Sequence, residues 1–288
     1  MRLRLRNRER SRGGKVSLKM RKKFLMATSL ILGLVLHCSA FAYGEYHRPF
    51  VNGGTVTGRV VIKGVGPMIG GTVFLIDAEA GTPPSATKYW LVPSYVYVLD
   101  DNAAFKAVVP EGTYYIGAIE RRSPEILGPP EEGDYFFISQ DKKGNPKMLT
   151  VWKNSVVDLG VLNDAVKFRH TMLEQEGITA IDGVVRDGQG KPVGGMVVFA
   201  YPTSVMFGRP LFVSERSGKD GKFSLRLSGG GTYYLTVRAG YGGGPPAPDE
   251  LIGVYNYGAP VSVGTKEVKK GIDLLVKKYL EWFQQEEE

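Results

Sequence analysis

The chain has 288 residues, a length that accommodates two domains of ordinary size. Its 37 Lys and Arg residues outnumber its 29 Asp and Glu residues, but residues 1–23 hold eleven of the basic side chains and a single acid. The rest of the chain, with 26 basic and 28 acidic residues, offers no basic surface to phosphate groups. These numbers exclude nucleic acid as a partner.

Residues 1–42 are typical of a secretion signal peptide. Basic residues 21–23 precede an apolar run at residues 24–36, and the small-x-small pattern of residues 40–42 suits signal peptidase. The apolar run is shorter than the roughly 20 residues that cross a bilayer, so we expect no membrane span after cleavage. We therefore expect an exported chain in the periplasm, at the cell surface or outside the cell.

Two features of this signal leave alternatives open. Met20 is an alternative start, which would make residues 1–19 an extension that the mature protein never contains. Cys38, the only cysteine, would suit lipid attachment if a small residue preceded it, but His37 stands there. Without a second cysteine the mature chain forms no intramolecular disulfide, and its stability comes from an apolar core.

From residue 50 onward, short alternating apolar runs separated by Gly, Pro and Asp-Gly turns predict an all-β protein. Residues 56–62, 105–109 and 223–227 alternate with the two-residue period of a half-buried strand. Helical periodicity appears only in the last fifteen residues. The spacing of strands and turns is typical of a β-sandwich.

An internal repeat divides this β region into two copies. Four short motifs recur in the same order, and the offset between the copies falls only from 124 to 116 residues along the chain. They are residues 70–74 with 194–198, Phe105 with Phe223, residues 112–115 with 231–234, and residues 128–130 with 244–246. We infer a duplication: a first, diverged sandwich at residues 50–165, a linker at 166–178, a second sandwich at 179–277 and a helical tail at 278–288.

The second copy carries a set of glycine-centred motifs. They lie at residues 183–187, 190–195, 218–223, 231–237 and 239–241. As a set they resemble the carboxypeptidase regulatory-like family, a seven-stranded Greek-key sandwich of transthyretin-like (prealbumin-like) topology. The resemblance implies an accessory role in folding, adhesion or assembly rather than chemistry. The first copy departs from the pattern, with Asn102-Ala103 in place of Asp220-Gly221 and a long aromatic segment at residues 82–99.

The sequence offers no pattern of a catalytic centre. Zinc catalysis needs three protein ligands, and beyond the signal only His47 and His170 are present, which we interpret as solvated linker residues. Acidic turns such as residues 100–102 and 187–189 could supply oxygen ligands to calcium, but turn chemistry explains them. The chain also lacks the Tyr-Arg-Gly-Ser ending of transthyretin-fold hydrolases. We predict no enzyme activity, metal or cofactor.

Aromatic residues near loops are the candidate binding residues. They are Tyr89, Trp90, Tyr241, Tyr255, Tyr257 and Trp282. Tyr and Trp supply rigid contact area for a protein or a sugar, and loops on a rigid sandwich are where such residues gather. The competing interpretation is that alternate members belong to the core, because Tyr95 and Tyr97, like Tyr255 and Tyr257, have the spacing of one strand face.

Two further segments have alternative interpretations. Arg121-Arg122 suits either an anion contact or a solvated strand end. Leu275, Tyr279, Trp282 and Phe283 fit one face of a short helix that either caps the second sandwich or docks a partner.

The sequence thus predicts an exported, non-catalytic accessory protein that acts through protein binding or envelope assembly. An envelope or surface protein is the expected partner. The alternatives are a carbohydrate-binding module, whose partner would be a polysaccharide, and a structural subunit of an envelope assembly.

Overall fold

The computed structural model describes residues 53–283 apart from positions 126, 207 and 243. The predicted signal peptide, with Cys38 and the cleavage site, lies outside these residues, as does His47. For Trp282 and Phe283 the description covers the backbone only.

The regular secondary structure of the described chain is almost entirely β-strand, which confirms the predicted all-β class. The strands of the first copy are β1 (Gly53–Ile62), β2 (Gly66–Pro67), β3 (Thr72–Asp77), β4 (Tyr95–Val98), β5 (Ala104–Pro110), β6 (Gly112–Glu120), β7 (Tyr135–Ile138), β8 (Met148–Val151) and β9 (Val156–Lys167). Those of the second copy are β10 (Thr179–Arg186), β11 (Val197–Tyr201), β12 (Phe212–Val213), β13 (Lys222–Leu227), β14 (Gly231–Arg238), β15 (Leu251–Val254), β16 (Val261–Val263), β17 (Val268–Leu275) and β18 (Lys277–Lys278). The helical elements are 3-10 turns at Ala78–Ala80, His170–Met172 and Tyr255–Gly258, and helix α1 (Tyr279–Phe283).

The two copies repeat one strand arrangement. In the first, one layer runs β5-β1-β9 and the other β4-β3-β6-β7, with β8 also beside β6. In the second, the layers run β13-β10-β17 and β12-β11-β14-β15, with β16 also beside β14. The first strand of each copy is antiparallel to one neighbour and parallel to the last long strand.

Each copy keeps its own sheets. Strand β9 links the two layers of the first sandwich, because it pairs with β1 along most of its length and with β7 at Val166 and Lys167. Between the copies, the described residues form a single isolated bridge, from Leu91 to Phe212. No sheet therefore runs through both sandwiches.

The strand pairing shows which residues of the two copies are structurally equivalent more accurately than the sequence motifs do. Thr72 opposes Ile119 in the first copy, and Val197 opposes Arg238 in the second, so the matching glycines are Gly70 and Gly195. This offset is one residue longer than the letter match of residues 70–74 with 194–198. The physical reason is backbone conformation, since Gly70 and Gly195 share a positive φ, +72° and +80°.

The departure at Asn102-Ala103 preserves the turn that it replaces. Ala103 has a φ of +57°, close to the +74° of Gly221 at the equivalent position. The Asp100 carboxylate accepts hydrogen bonds from the backbone amides of Asn102 and Ala104, and that of Asp187 binds a turn in the same way. These carboxylates thus stabilise turns by accepting hydrogen bonds from backbone amides.

A tyrosine corner locks the same strand in each sandwich. The hydroxyl of Tyr114 donates to the carbonyl of Pro110, and that of Tyr233 donates to the carbonyl of Gly229, both at 2.9 Å. In each case the tyrosine is the third residue of a Gly-Thr-Tyr-Tyr motif and reaches back over the turn. The repeated motif therefore has a defined structural role.

The two sandwiches have separate but adjoining cores. In β5 alternate residues are buried, as expected for a strand with one face on the core. Strands β3 and β6 are buried on both faces: one face lines the first core, and the other belongs to a cluster that continues into the second sandwich. The central sheet of the first sandwich therefore lies between two apolar layers.

The C-terminal helix begins later than predicted. Leu275 ends β17, and Val276 is buried, so the apolar residues there follow the two-residue period of a strand. The described part of the helix is Tyr279–Phe283, and Leu280 on it is exposed.

Candidate functional site

Aromatic side chains fill the junction between the two sandwiches. Trp90 packs edge-to-face on Phe136 and Phe168, with ring centroids 5.9 and 5.8 Å apart. Tyr89, the next residue along, packs on Phe212 of the second sandwich in the same geometry at 5.8 Å. The long segment between β3 and β4 thus covers the outer face of the first sandwich and joins it to the second.

A buried ion pair lies at the same junction. The side chain of Asp134 is fully buried, and it accepts hydrogen bonds from the backbone amides of Arg122 and Glu131. Arg121, whose side chain is 5% exposed, lies 3.7 Å from it and also donates to the carbonyls of Gly128 and Pro129. Burial lowers the pKa of Arg121, while the charge of Asp134 opposes that shift. Arg121 is thus not a solvated residue, because its side chain is enclosed with Asp134, whereas the neighbouring Arg122 is exposed.

Arg216 ties the second sandwich to a loop of the first. Its guanidinium pairs with Glu125, donates to the carbonyls of Gly195 and Ala239, and lies 5.0 Å from the ring centre of Tyr241. Burial raises the pKa of the Tyr241 phenol strongly. Tyr241 is therefore part of the junction.

His170 forms a second polar link across the junction. Its Nδ1 lies 3.3 Å from Glu132, and its Nε2 lies 3.5 Å from Glu215 of the second sandwich. Burial raises the pKa of the Glu215 carboxyl, and the nearby charges of His170 and Arg226 oppose this. The histidine interpreted as a solvated linker residue is half-exposed and held between two acids.

A cavity of about 570 Å³ opens beside these contacts. Its wall includes Trp90 and Phe223, and its polar lining includes Asp182, Glu215 and Arg226. The volume falls within the roughly 300–1,000 Å³ typical of small-molecule sites.

Three buried polar atoms around this cavity have no hydrogen-bond partner among the described residues. They are Nε1 of Trp90, Oδ1 of Asp182 and Oε1 of Glu215. The imidazole of His170 approaches the last of these without hydrogen-bonding geometry. An unsatisfied buried group costs about 1–3 kcal/mol, so three around one cavity mark it as a site where a ligand or water could bind.

A second exposed feature is a left-handed turn at the end of β15. Asn256, Tyr257 and Gly258 have φ values of +38°, +57° and +89° in succession. Tyr257 is 96% exposed. The prediction that Tyr255 and Tyr257 lie on one strand face is wrong, because β15 ends at Val254 and the backbone then turns.

The remaining candidate residues fall in different environments. Trp90 is 6% exposed, and Tyr89, Tyr241 and Tyr255 are partly buried against the junction cluster. The structure thus gathers Tyr89, Trp90 and Tyr241 at the junction and sets Tyr257 apart. The Trp282 side chain lies outside the described part of the chain.

Sequence reasoning missed Asp182 and Glu215. Asp182 lies on a strand and Glu215 in a loop, and neither belongs to a recognisable motif. The one available signal for Asp182 was an acid within the apolar strand Thr179–Arg186.

No protein-family model matches the chain, and no curated protein matches it. Among solved structures, a TIE protein of Bacillus anthracis is 13% identical over 79% of this chain and 34% of its own, with a TM-score of 0.25. A streptococcal ancillary pilin is 15% identical over 79% and 63%, with a TM-score of 0.24. The shaft pilin SpaA of Lactobacillus rhamnosus GG is 13% identical over 78% and 98%, with a TM-score of 0.21.

These likenesses are weak. The chain spans about a third of the length of the Bacillus protein and less than two thirds of the ancillary pilin. TM-scores of 0.25 and below mean that the superpositions fit poorly, and we draw no function from them. Separately, no helix within the described residues is long and apolar enough to cross a membrane.

Proposed function

We propose that this chain is an exported, non-catalytic binding protein that takes part in assembly at the envelope or cell surface. Tyr257 and its left-handed turn form the contact with a protein partner. The observation that carries this proposal is the nearly complete exposure of Tyr257 on a backbone that disfavours it.

The turn holds an aromatic side chain in an unfavourable position twice over. A non-glycine residue in the left-handed region costs about 1–3 kcal/mol, and Asn256 and Tyr257 adopt it consecutively. The Tyr257 ring also gains no burial from its own fold. Tyrosine is among the residues that contribute most to the binding free energy at interfaces. Burial of the Tyr257 ring against a partner would therefore offset the conformational cost of the turn.

Neighbouring apolar residues extend the contact surface. The end of the Met206 side chain lies near Gly258, 3.6 Å from where a β-carbon would stand. Met206 also has a positive φ, +42°, and Val205 before it is 75% exposed. Two adjacent loops with unusual backbones therefore present apolar side chains together.

The family membership, the export of the chain and the domain boundaries are parts of the same proposal. The motifs of the second copy and the strand order of both copies support membership of the carboxypeptidase regulatory-like family. The basic, apolar and small-residue pattern of residues 1–42 supports export to the periplasm or cell surface. The domain boundaries at 165/166 and 178/179 are proposals of the same kind.

The test is site-specific photo-crosslinking in the native envelope. A crosslinkable residue at position 257 should capture one protein, whereas the same residue at Trp152, which is 63% exposed, should not. Tyr257→Gly should reduce capture from a crosslinker at Val205 at least tenfold without lowering the melting temperature, because glycine favours a positive φ.

Two outcomes decide between the alternatives. Capture of a second copy of this chain would identify a structural subunit of an assembly. Equal capture at positions 257 and 152, or capture that Tyr257→Gly leaves unchanged, would contradict the proposed contact.

A further inference from the structure

We propose that the cavity at the junction of the two sandwiches binds an uncharged saccharide unit. This site is separate from the Tyr257 turn, and the inference does not depend on the partner proposed there. It rests on the cavity volume, the aromatic wall and three unpartnered polar atoms.

The unpartnered atoms define what a ligand must supply. Asp182 presents a carboxylate oxygen without a donor, Glu215 presents one that only the His170 imidazole approaches, at 3.5 Å, and the Trp90 indole N–H has no acceptor among the described residues. Their residues line one cavity although they lie far apart in the sequence. A ligand that both donates and accepts hydrogen bonds over a short span satisfies all three, and hydroxyl groups do both.

The charges of the lining favour a neutral ligand. Arg216 is engaged by Glu125, Lys222 by Asp220, and Asp273 by Arg186. The remaining charged lining residues are Asp182, Glu215, Arg226 and Lys270, two of each sign. A cationic ligand would meet Arg226 and Lys270, and an anionic ligand would meet the two carboxylates. The lining therefore gives no advantage to either ion.

The apolar wall matches the faces of a sugar ring. Trp90, Phe223 and Leu173 line the cavity beside the polar groups. A saccharide ring carries hydroxyls at its rim and C–H groups on its faces, so it can contact an apolar wall and carboxylates together. The cavity of about 570 Å³ has room for one or two such rings.

The Trp90 indole N–H gives a direct readout of binding. We would label the mature chain with ¹⁵N and titrate it with glucose, N-acetylglucosamine, maltose and cellobiose, with glucosamine and glucuronic acid as charged comparisons. Trp90→Phe would assign the Trp90 cross-peak in ¹H–¹⁵N spectra. At least one neutral saccharide should shift this peak saturably, while the peak of exposed Trp152 stays in place.

Matched variants then test the two acceptors. Asp182→Asn and Glu215→Gln keep the size of each side chain but replace one acceptor oxygen by a donor, so each should weaken saccharide binding at least tenfold. Asp164→Asn makes the same change on an exposed residue of β9 outside the cavity and should leave binding unchanged.

Several results would overturn this inference. One is the absence of a Trp90 shift with every neutral saccharide at 50 mM. Another is a response to glucosamine or glucuronic acid alone, and a third is saccharide binding that Asp182→Asn and Glu215→Gln leave intact in folded variants. None of these results affects the crosslinking test at Tyr257, so the two proposals fail separately.

Discussion

Strands β6 and β14 occupy the same place in the two sandwiches, yet β6 is buried on both faces and β14 mainly on one. After the shared Gly-Thr-Tyr-Tyr, β6 continues as Ile-Gly-Ala-Ile and β14 as Leu-Thr-Val-Arg. Polar residues at every second position leave one face for water, whereas an unbroken apolar run requires a cover on both. The two copies have therefore specialised, and the first supplies the apolar floor of the junction.

An equivalent acid shows the same specialisation. Asp134 and Glu250 each precede the strand after the Gly-Pro-Pro loop, and each accepts a backbone amide three residues earlier. Asp134 sits beside Arg121 in full burial, whereas Glu250 forms two hydrogen bonds with the partly exposed Arg238. Burial tends to raise the pKa of Glu250, and Arg238 outweighs it, so the pKa lies below its usual value.

The largest expected effect comes from removing the cover over β6. Trp90→Ala should lower the free energy of unfolding by about 3–5 kcal/mol, because it empties a buried aromatic site between Phe136 and Phe168. Trp152→Ala, on an exposed residue, should cost less than about 1 kcal/mol. Urea unfolding of both variants measures the difference. Similar losses would mean that the junction is not a shared core.

Two equivalent glycines should differ in tolerance. A β-carbon on Gly183 would lie 1.6 Å from the carbonyl oxygen of Ile272, whereas one on Gly58 would lie 3.0 Å from the Phe105 ring. Gly183→Ala should therefore cost about 3 kcal/mol and Gly58→Ala about 1 kcal/mol in the same unfolding assay. The reverse order would show that the two first strands are not packed as described.

The tyrosine corners should contribute similarly in the two copies. Tyr114→Phe and Tyr233→Phe each remove one hydrogen bond to a carbonyl and should cost about 1 kcal/mol. Tyr114 is 1% exposed against 8% for Tyr233, so its variant should lose slightly more. Thermal unfolding of the single and double variants measures this, and a loss in one copy alone would break the equivalence.

The smallest expected effect is a loss of stability at alkaline pH. Burial raises the pKa of the Tyr114 phenol well above its usual value, with Tyr95 and Asp77 adding to the shift. The folded chain thus keeps this phenol neutral where the unfolded chain ionises near pH 10, so its contribution is complete below that pH and declines above it. The loss should reach about 1 kcal/mol at pH 11. Denaturation at pH 8 and 11 should show a weaker pH dependence for Tyr114→Phe than for the unchanged chain.

Much of the fold could be predicted from local sequence. Alternating residues in Ala104–Pro110 and Lys222–Leu227 set the strand period, and the repeated Gly-Thr-Tyr-Tyr marked equivalent strands. The exact equivalence of residues in the two copies could not be predicted, because Gly70 and Gly195 correspond through their backbone conformation and not through the identity of the neighbouring residues. The predicted start of the C-terminal helix was wrong at Leu275 and Val276, because the spacing of Val276 suits a helix face and a strand face equally.

The candidate site was harder to predict because it depends on contacts between the copies. Trp90 lies in an aromatic segment that looks exposed until the second sandwich covers it. Asp182 and Glu215 both belong to the second sandwich, and Trp90 of the first sandwich lines the same cavity only after both sandwiches have formed. The sequence identified Tyr257 as a candidate binding residue. The residues beside it do not predict the left-handed turn that exposes it.

The shared apolar junction also constrains how this gene can change. A chain that lost its second half would leave Tyr89 and Leu91 without the contact that Phe212 provides, and exposed apolar surface of this kind favours aggregation. A chain that lost its first half would strip the cover from Phe212. Each half therefore covers apolar surface of the other, and we expect neither to be as soluble alone as the two are together.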